Sequence, residues 1–123
     1  MKAIVNSAVC PLLSAPTFES TLEDEALYGM VADILDEPAP GWYQVRTPYR
    51  YEGIAGCLLI GDERAAAWAA LPKLVVRHKN FCDVLSRPKV QGWHLITLTR
   101  GCVVSPVGQA EDGWQKGLLA DGR

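Results

Sequence analysis

The chain has 123 residues, 49% of them hydrophobic and 21% charged, a balance that excludes a disordered polypeptide and predicts a packed core. A formal net charge of −2 supplies no basic field to draw nucleic acid or an anionic membrane surface, and no stretch reaches the roughly 20 apolar residues of a membrane span. With no long apolar run in Met1-Lys2-Ala3-Ile4-Val5-Asn6-Ser7, the expectation is a cytoplasmic protein.

Taken from the amino terminus, apolar runs separated by turn residues predict short strands over 2–7, 10–13, 29–37, 41–47 and 53–58. Between the second and third of these lies an acidic cluster, Glu19, Glu23, Asp24 and Glu25, which reads either as an edge for an amine or cation or as a solvated loop. The stretch 36–41 is predicted as a turn, because Pro38 and Pro40 fix φ and remove donors while Gly41 permits a positive φ. Tyr49 and Tyr51 flank Arg50; on an extended segment they point to opposite faces, so that one of them lines any given groove. The alanine-rich run 62–71 predicts a helix with Asp62 as N-cap and Pro72 as its stop, and with Trp68 and Leu71 wedged against the neighbouring units.

Beyond the helix the pattern starts again. A shift of 72 residues places Cys10 on Cys82, Ser14 on Ser86, Pro16 on Pro88, Gly29 on Gly101, Val31 on Val103, Gly41 on Gly113 and Trp42 on Trp114. The predicted fold is all-β: two tandem small barrels over 1–60 and 73–123, joined by a helical linker over 61–72. Arg123 falls opposite Tyr51, so the second barrel is expected to lack a last strand, leaving an edge that a continuing polypeptide or a partner fills. Trp42 and Trp114, both opening a Gly-Trp strand, read as core residues or as aromatic platforms of a groove.

The four cysteines, Cys10, Cys57, Cys82 and Cys102, form no Cys-x-x-Cys pair and have no histidine spacing of a zinc site, so they read as structural; no metal or cofactor is expected. His78 and His94 are the two histidines that a general-base role would need to recruit.

The run Gly41-Trp42-Tyr43-Gln44-Val45-Arg46-Thr47-Pro48, then Tyr51-Glu52-Gly53, with Ser14-Ala15-Pro16 and Ala26-Leu27-Tyr28-Gly29 upstream, resembles the first bacterial SH3 domain of the dipeptidyl-peptidase VI type of NlpC-family enzymes. Those enzymes are γ-D-glutamyl-L-diamino-acid endopeptidases that cut peptidoglycan stem peptides. The resemblance implies SH3-like barrels, an NlpC-type catalytic domain as partner in the same or another polypeptide, and stem peptides as ligands. The family's Asp-Cys-Ser-Gly nucleophile motif has no counterpart here, since Cys82 is followed by Asp83 and Val84, so the chain alone is expected to be no enzyme. The family's pocket tyrosine falls on Tyr51. Its acidic partner falls on Thr21, which leaves Glu19 and Glu23 as the carboxylates to hold a substrate ammonium. Trp42, Tyr49 and Trp114 are the further groove aromatics. The rival expectations are a stand-alone module for wall peptide or protein, and an interaction domain that pairs through its open sheet edge.

Overall fold

The computed structural model describes residues 1–77, 81–88 and 92–122; His78 lies outside them. Among the described residues the chain is all-β apart from one helix. Strands β1 (Lys2–Val5), β2 (Val9–Leu13), β3 (Leu22–Leu27), β4 (Val31–Ala39), β5 (Trp42–Arg46), β6 (Glu52–Ala55) and β7 (Leu58–Ile60) form one antiparallel sheet in the order β3-β2-β6-β5-β4-β1-β7. Helix α1 (Asp62–Ala70) follows. The rest makes two short sheets: β9 (Phe81–Leu85) with β10 (His94–Thr99), and β11 (Val103–Pro106) between β12 (Gly117–Leu118) and β8 (Leu74–Val75).

Strand β3 overturns the loop reading for Glu23, Asp24 and Glu25, while Glu19 stays in the loop before it. Leu-Glu-Asp-Glu-Ala-Leu has low strand propensity, but Ala26 is buried in the core while the carboxylates stand on an edge strand, where charge keeps other sheets away. The 36–41 turn is shorter than predicted. β4 runs through Pro38 to Ala39 across two register shifts, which accommodate the missing proline donor, and Ala39 pairs with Trp42 around Pro40-Gly41, with Gly41 at φ +78°. The single strand predicted over 53–58 is two strands: β6 pairs with β5 and β2, whereas β7 crosses to β1.

The repeat recurs in the hydrogen-bond register. Cys10 opposite Ala26, Pro11 opposite Glu25, Leu12 opposite Asp24 and Leu13 opposite Leu22 reappear 72 residues on as Cys82–Leu98, Asp83–Thr97, Val84–Ile96 and Leu85–His94, each series with a register shift before its last pair. The bond from Ser14 N to Thr21 O, 2.9 Å, reappears from Ser86 N to Trp93 O, 2.8 Å. The hairpin pair Ala39–Trp42 reappears as Glu111–Trp114, turning through Asp112 (φ +51°) and Gly113 (φ +79°). Aspartate and glycine at two consecutive positive-φ positions are what a two-residue hairpin turn favours.

The halves share their cores. Val5, Cys10, Leu12, Ala26, Ala32, Val45 and Ala55 fill the first. Tyr28, from the first half, is buried among Leu98, Cys102 and Leu119 of the second, and its hydroxyl accepts from Ala120 N at 2.8 Å. Trp68 wedges in as predicted, packing with Ile4 and Ala65 against Val31, Leu59 and Val103, and its Nε1 donates to Gly29 O at 2.8 Å. Leu71 does not; it is exposed. Nor is Asp62 the N-cap. Gly61 takes that place at φ +144°, and Asp62 accepts instead from Lys2 N at 2.8 Å, tying the helix start to β1.

All four cysteines are free thiols. Burial, and then the neighbouring Cys57, push the Cys10 thiol up to about 12, which keeps it protonated and unreactive. Cys82 is an exposed residue of β9. No helix among the described residues is long and apolar enough to cross a membrane.

Candidate functional site

The turn after β5 carries the tyrosines. Pro48 fixes φ, Arg50 takes φ +65°, and Arg50 N donates to Thr47 O at 2.9 Å. The buried Thr47 closes the turn: its Oγ1 accepts from Tyr51 N at 3.0 Å, while Thr47 N donates to Tyr51 O at 2.8 Å. The segment is therefore not extended, which corrects the expectation of opposed faces. Both side chains reach β3. Tyr49 Oη donates to Asp24 Oδ2 at 2.9 Å and lies 3.3 Å from Glu25 O; Tyr51 Oη donates to Glu23 O at 3.2 Å.

The result is an exposed rim in which two phenols lie across an edge strand bearing Glu23, Asp24 and Glu25. Three carboxylates on consecutive residues repel anions and favour a cation, and two hydroxyls fix its orientation. The first cause acting on Tyr49 is partial burial, the second its bond to the Asp24 carboxylate; both raise its pKa above the ordinary phenol value. A raised folded-state pKa means that the contact stabilises below the ordinary phenol range and is lost as pH rises through the raised value. Tyr43 is raised too, by burial and then by Glu37, so absorbance titration is read as a difference: Asp24→Asn should bring the Tyr49 share of the late ionisation part of the way back, leaving the share due to burial, and no change on Asp24→Asn would remove the pair.

Glu23 thus contributes its carbonyl to Tyr51, not its carboxylate, and neither phenol bonds Glu19. Glu19 lies in the loop before β3, where its N–H meets Thr17 Oγ1 at 3.3 Å. Sequence reasoning grouped Asp24 with the acidic cluster but did not select it; had 22–27 been read as a strand pairing β2, Asp24 would have stood out as opposite Leu12. Trp42 opens β5, whereas the tyrosine turn follows its end, so the two are not one groove. The Trp42 ring is half-buried, edge-on to the exposed Phe18 with centroids 4.8 Å apart and planes at 64°. Trp114 is half-buried in the second half and lines a separate cavity.

His94 is exposed at the start of β10, with Nε2 2.7 Å from Thr97 Oγ1 and 3.6 Å from Asp83 Oδ1, while Thr97 Oγ1 donates to Asp83 Oδ1 at 2.7 Å. Thr97 spends its proton on Asp83, so this surface cluster has no nucleophile aligned with the imidazole.

Compared with known proteins, the chain is matched by no family model. Its fold is that of a crystal structure of an NlpC/P60 family protein from Bacillus cereus ATCC 10987, at a TM-score of 0.69 and 18% identity, over 99% of this chain and 52% of that one. It is 37% identical over 106 residues to a dipeptidyl-peptidase 6 of Lysinibacillus sphaericus, covering 85% of this chain. The chain is related to that dipeptidyl-peptidase 6 over this stretch, and it spans 39% of that relative's length.

Proposed function

We propose that this chain is the SH3-like, non-catalytic region of a peptidoglycan stem-peptide endopeptidase, with SH3-like units over 1–60 and 73–123 joined by 61–72. It docks an NlpC-type cysteine peptidase domain and holds the free amino terminus of an L-Ala-γ-D-Glu substrate. The reading rests above all on one observation, the convergence of Tyr49 and Tyr51 on the acidic strand β3. A substrate ammonium at this rim would bond the Asp24 carboxylate and a phenol oxygen, and an acylated amine would lose the charge and all but one of the N–H donors. The relation to a dipeptidyl-peptidase 6 supports the same reading, as do four free thiols for a cytoplasmic site of action.

The test joins this chain to an NlpC-type peptidase domain. Asp24→Asn should lower kcat/KM for free-amine stem peptides about 10- to 100-fold, the worth of one charge-assisted hydrogen bond. Tyr51→Phe should lower it by roughly 10-fold, the lower end for a hydrogen bond in which one partner alone is charged. Values unchanged by both substitutions would reject the rim as the amine site.

A further inference from the structure

The turn that carries the tyrosines occurs twice. Arg50 N donates to Thr47 O at 2.9 Å, and 72 residues on Gly122 N donates to Leu119 O at 3.0 Å. Arg50 has φ +65° and Gly122 φ +93°, so both turns put the same position in the left-handed region. The second half builds this turn from residues that suit it without further help. Leu119 is buried in the core beside Tyr28, and glycine takes a positive φ without steric cost. The first half departs at both positions. Arg50 brings a Cβ into a conformation that disfavours one, and Thr47, 3% exposed, brings a hydroxyl to a buried place where its counterpart is apolar.

We propose that Thr47 is the positioning residue of the rim: its hydroxyl clamps a strained turn shut and so keeps both phenols over β3. The inference rests on the reading of that rim as the amine site. The hydroxyl closes on the main chain of Tyr51 from both sides, accepting from Tyr51 N at 3.0 Å and donating to Tyr51 O at 3.2 Å, while Thr47 N donates to the same oxygen at 2.8 Å. A β-branched side chain is stiff at χ1, so the clamp has one geometry. Arg50 lies inside the clamped loop, between the two tyrosines, and is held at its positive φ by it. Without the hydroxyl, Tyr51 N loses its acceptor and Arg50 relaxes toward negative φ. Tyr49 and Tyr51 then swing away from Asp24 and from Glu23 O, which they meet at 2.9 and 3.2 Å in the closed turn. The second half, with leucine and glycine, needs no clamp, so the hydroxyl serves the tyrosines and not the barrel.

The experiment titrates the 123-residue chain and its variants with a stem tripeptide bearing a free L-Ala amine, followed by nuclear magnetic resonance. Thr47→Val, nearly the same shape without the hydroxyl, should weaken binding by about 10-fold, the worth of one or two hydrogen bonds, and should erase the Overhauser contacts between the Tyr51 ring and Glu23. The indole resonance of Trp68 should stay in place, showing that the halves remain docked. Thr47→Ser keeps the hydroxyl and should bind within about 3-fold of the unaltered chain, since only the stiffness of the branched side chain is lost. Adding Arg50→Gly to Thr47→Val should recover part of the loss, because the turn then carries the glycine of the second half. Binding unchanged by Thr47→Val, Thr47→Ser as weak as Thr47→Val, or no recovery with Arg50→Gly would each overturn the proposal. So would displacement of the Trp68 resonance by Thr47→Val, because the hydroxyl would then serve the fold. Failure of the unaltered chain to bind the peptide is a different result: it rejects the rim as the amine site, and the positioning role with it.

Discussion

Replacing Trp68 with alanine is expected to destabilise the chain by about 3–5 kcal/mol, the usual cost of deleting a buried aromatic side chain and leaving its cavity. Trp68 is 4% exposed and stands between Ile4 of β1 and Val103 of β11, so it belongs to both halves at once. Its Nε1 donates to Gly29 O, and truncation also leaves that buried carbonyl without its indole partner. Trp68→Phe retains much of the packing and loses the bond, so it should fall near 1–3 kcal/mol. Denaturant unfolding followed by far-ultraviolet circular dichroism reads both. A loss below about 1 kcal/mol for the alanine variant would mean that the helix does not hold the halves together.

The second large effect is at Gly29. Its φ of +87° disfavours any side chain, and an added Cβ would stand 2.4 Å from Val103 Cγ2 and 2.7 Å from Val103 O. Val103 N donates to Tyr28 O at 3.0 Å, so the clash pushes the turn between β3 and β4 away from β11, a contact the fold needs. Gly29→Ala should therefore cost about 3 kcal/mol or more, adding overpacking to left-handed strain. Gly41 provides the comparison. Its φ is +78°, but nothing lies within 4 Å of an added Cβ, so Gly41→Ala should cost only about 1 kcal/mol, the strain alone. Equal costs at the two glycines would show that contact with Val103 contributes nothing.

Much of this was legible in the sequence. The coincidence of Gly29 with Gly101 and of Gly41 with Gly113 marks positive φ at all four positions, because glycine spacing reports backbone conformation directly. The all-β class followed from short apolar runs between turn residues. Strand β3 was not legible, since its carboxylates belong to an edge whose pairing with β2 is a tertiary choice that propensity does not report. Trp68 was placed correctly from spacing, whereas Leu71 was not, since β/extended geometry at that residue turns it off the helical face. Tyr51 came from a motif. Its neighbour Tyr49 was assigned the opposite face, because nothing local announces that Arg50 takes a positive φ and folds the segment into a turn. Asp24 became visible only when that turn was set against β3.

The most direct test of the account is a nuclear magnetic resonance titration of the 123-residue chain with a stem tripeptide bearing a free L-Ala amine, beside the same peptide N-acetylated. The account predicts weak, saturable shifts confined to Asp24, Tyr49, Tyr51 and their neighbours on β3 for the free amine, and none for the acetylated peptide. Shifts of equal size for both peptides, or shifts at Trp42 and Trp114 with the tyrosines unmoved, would contradict it.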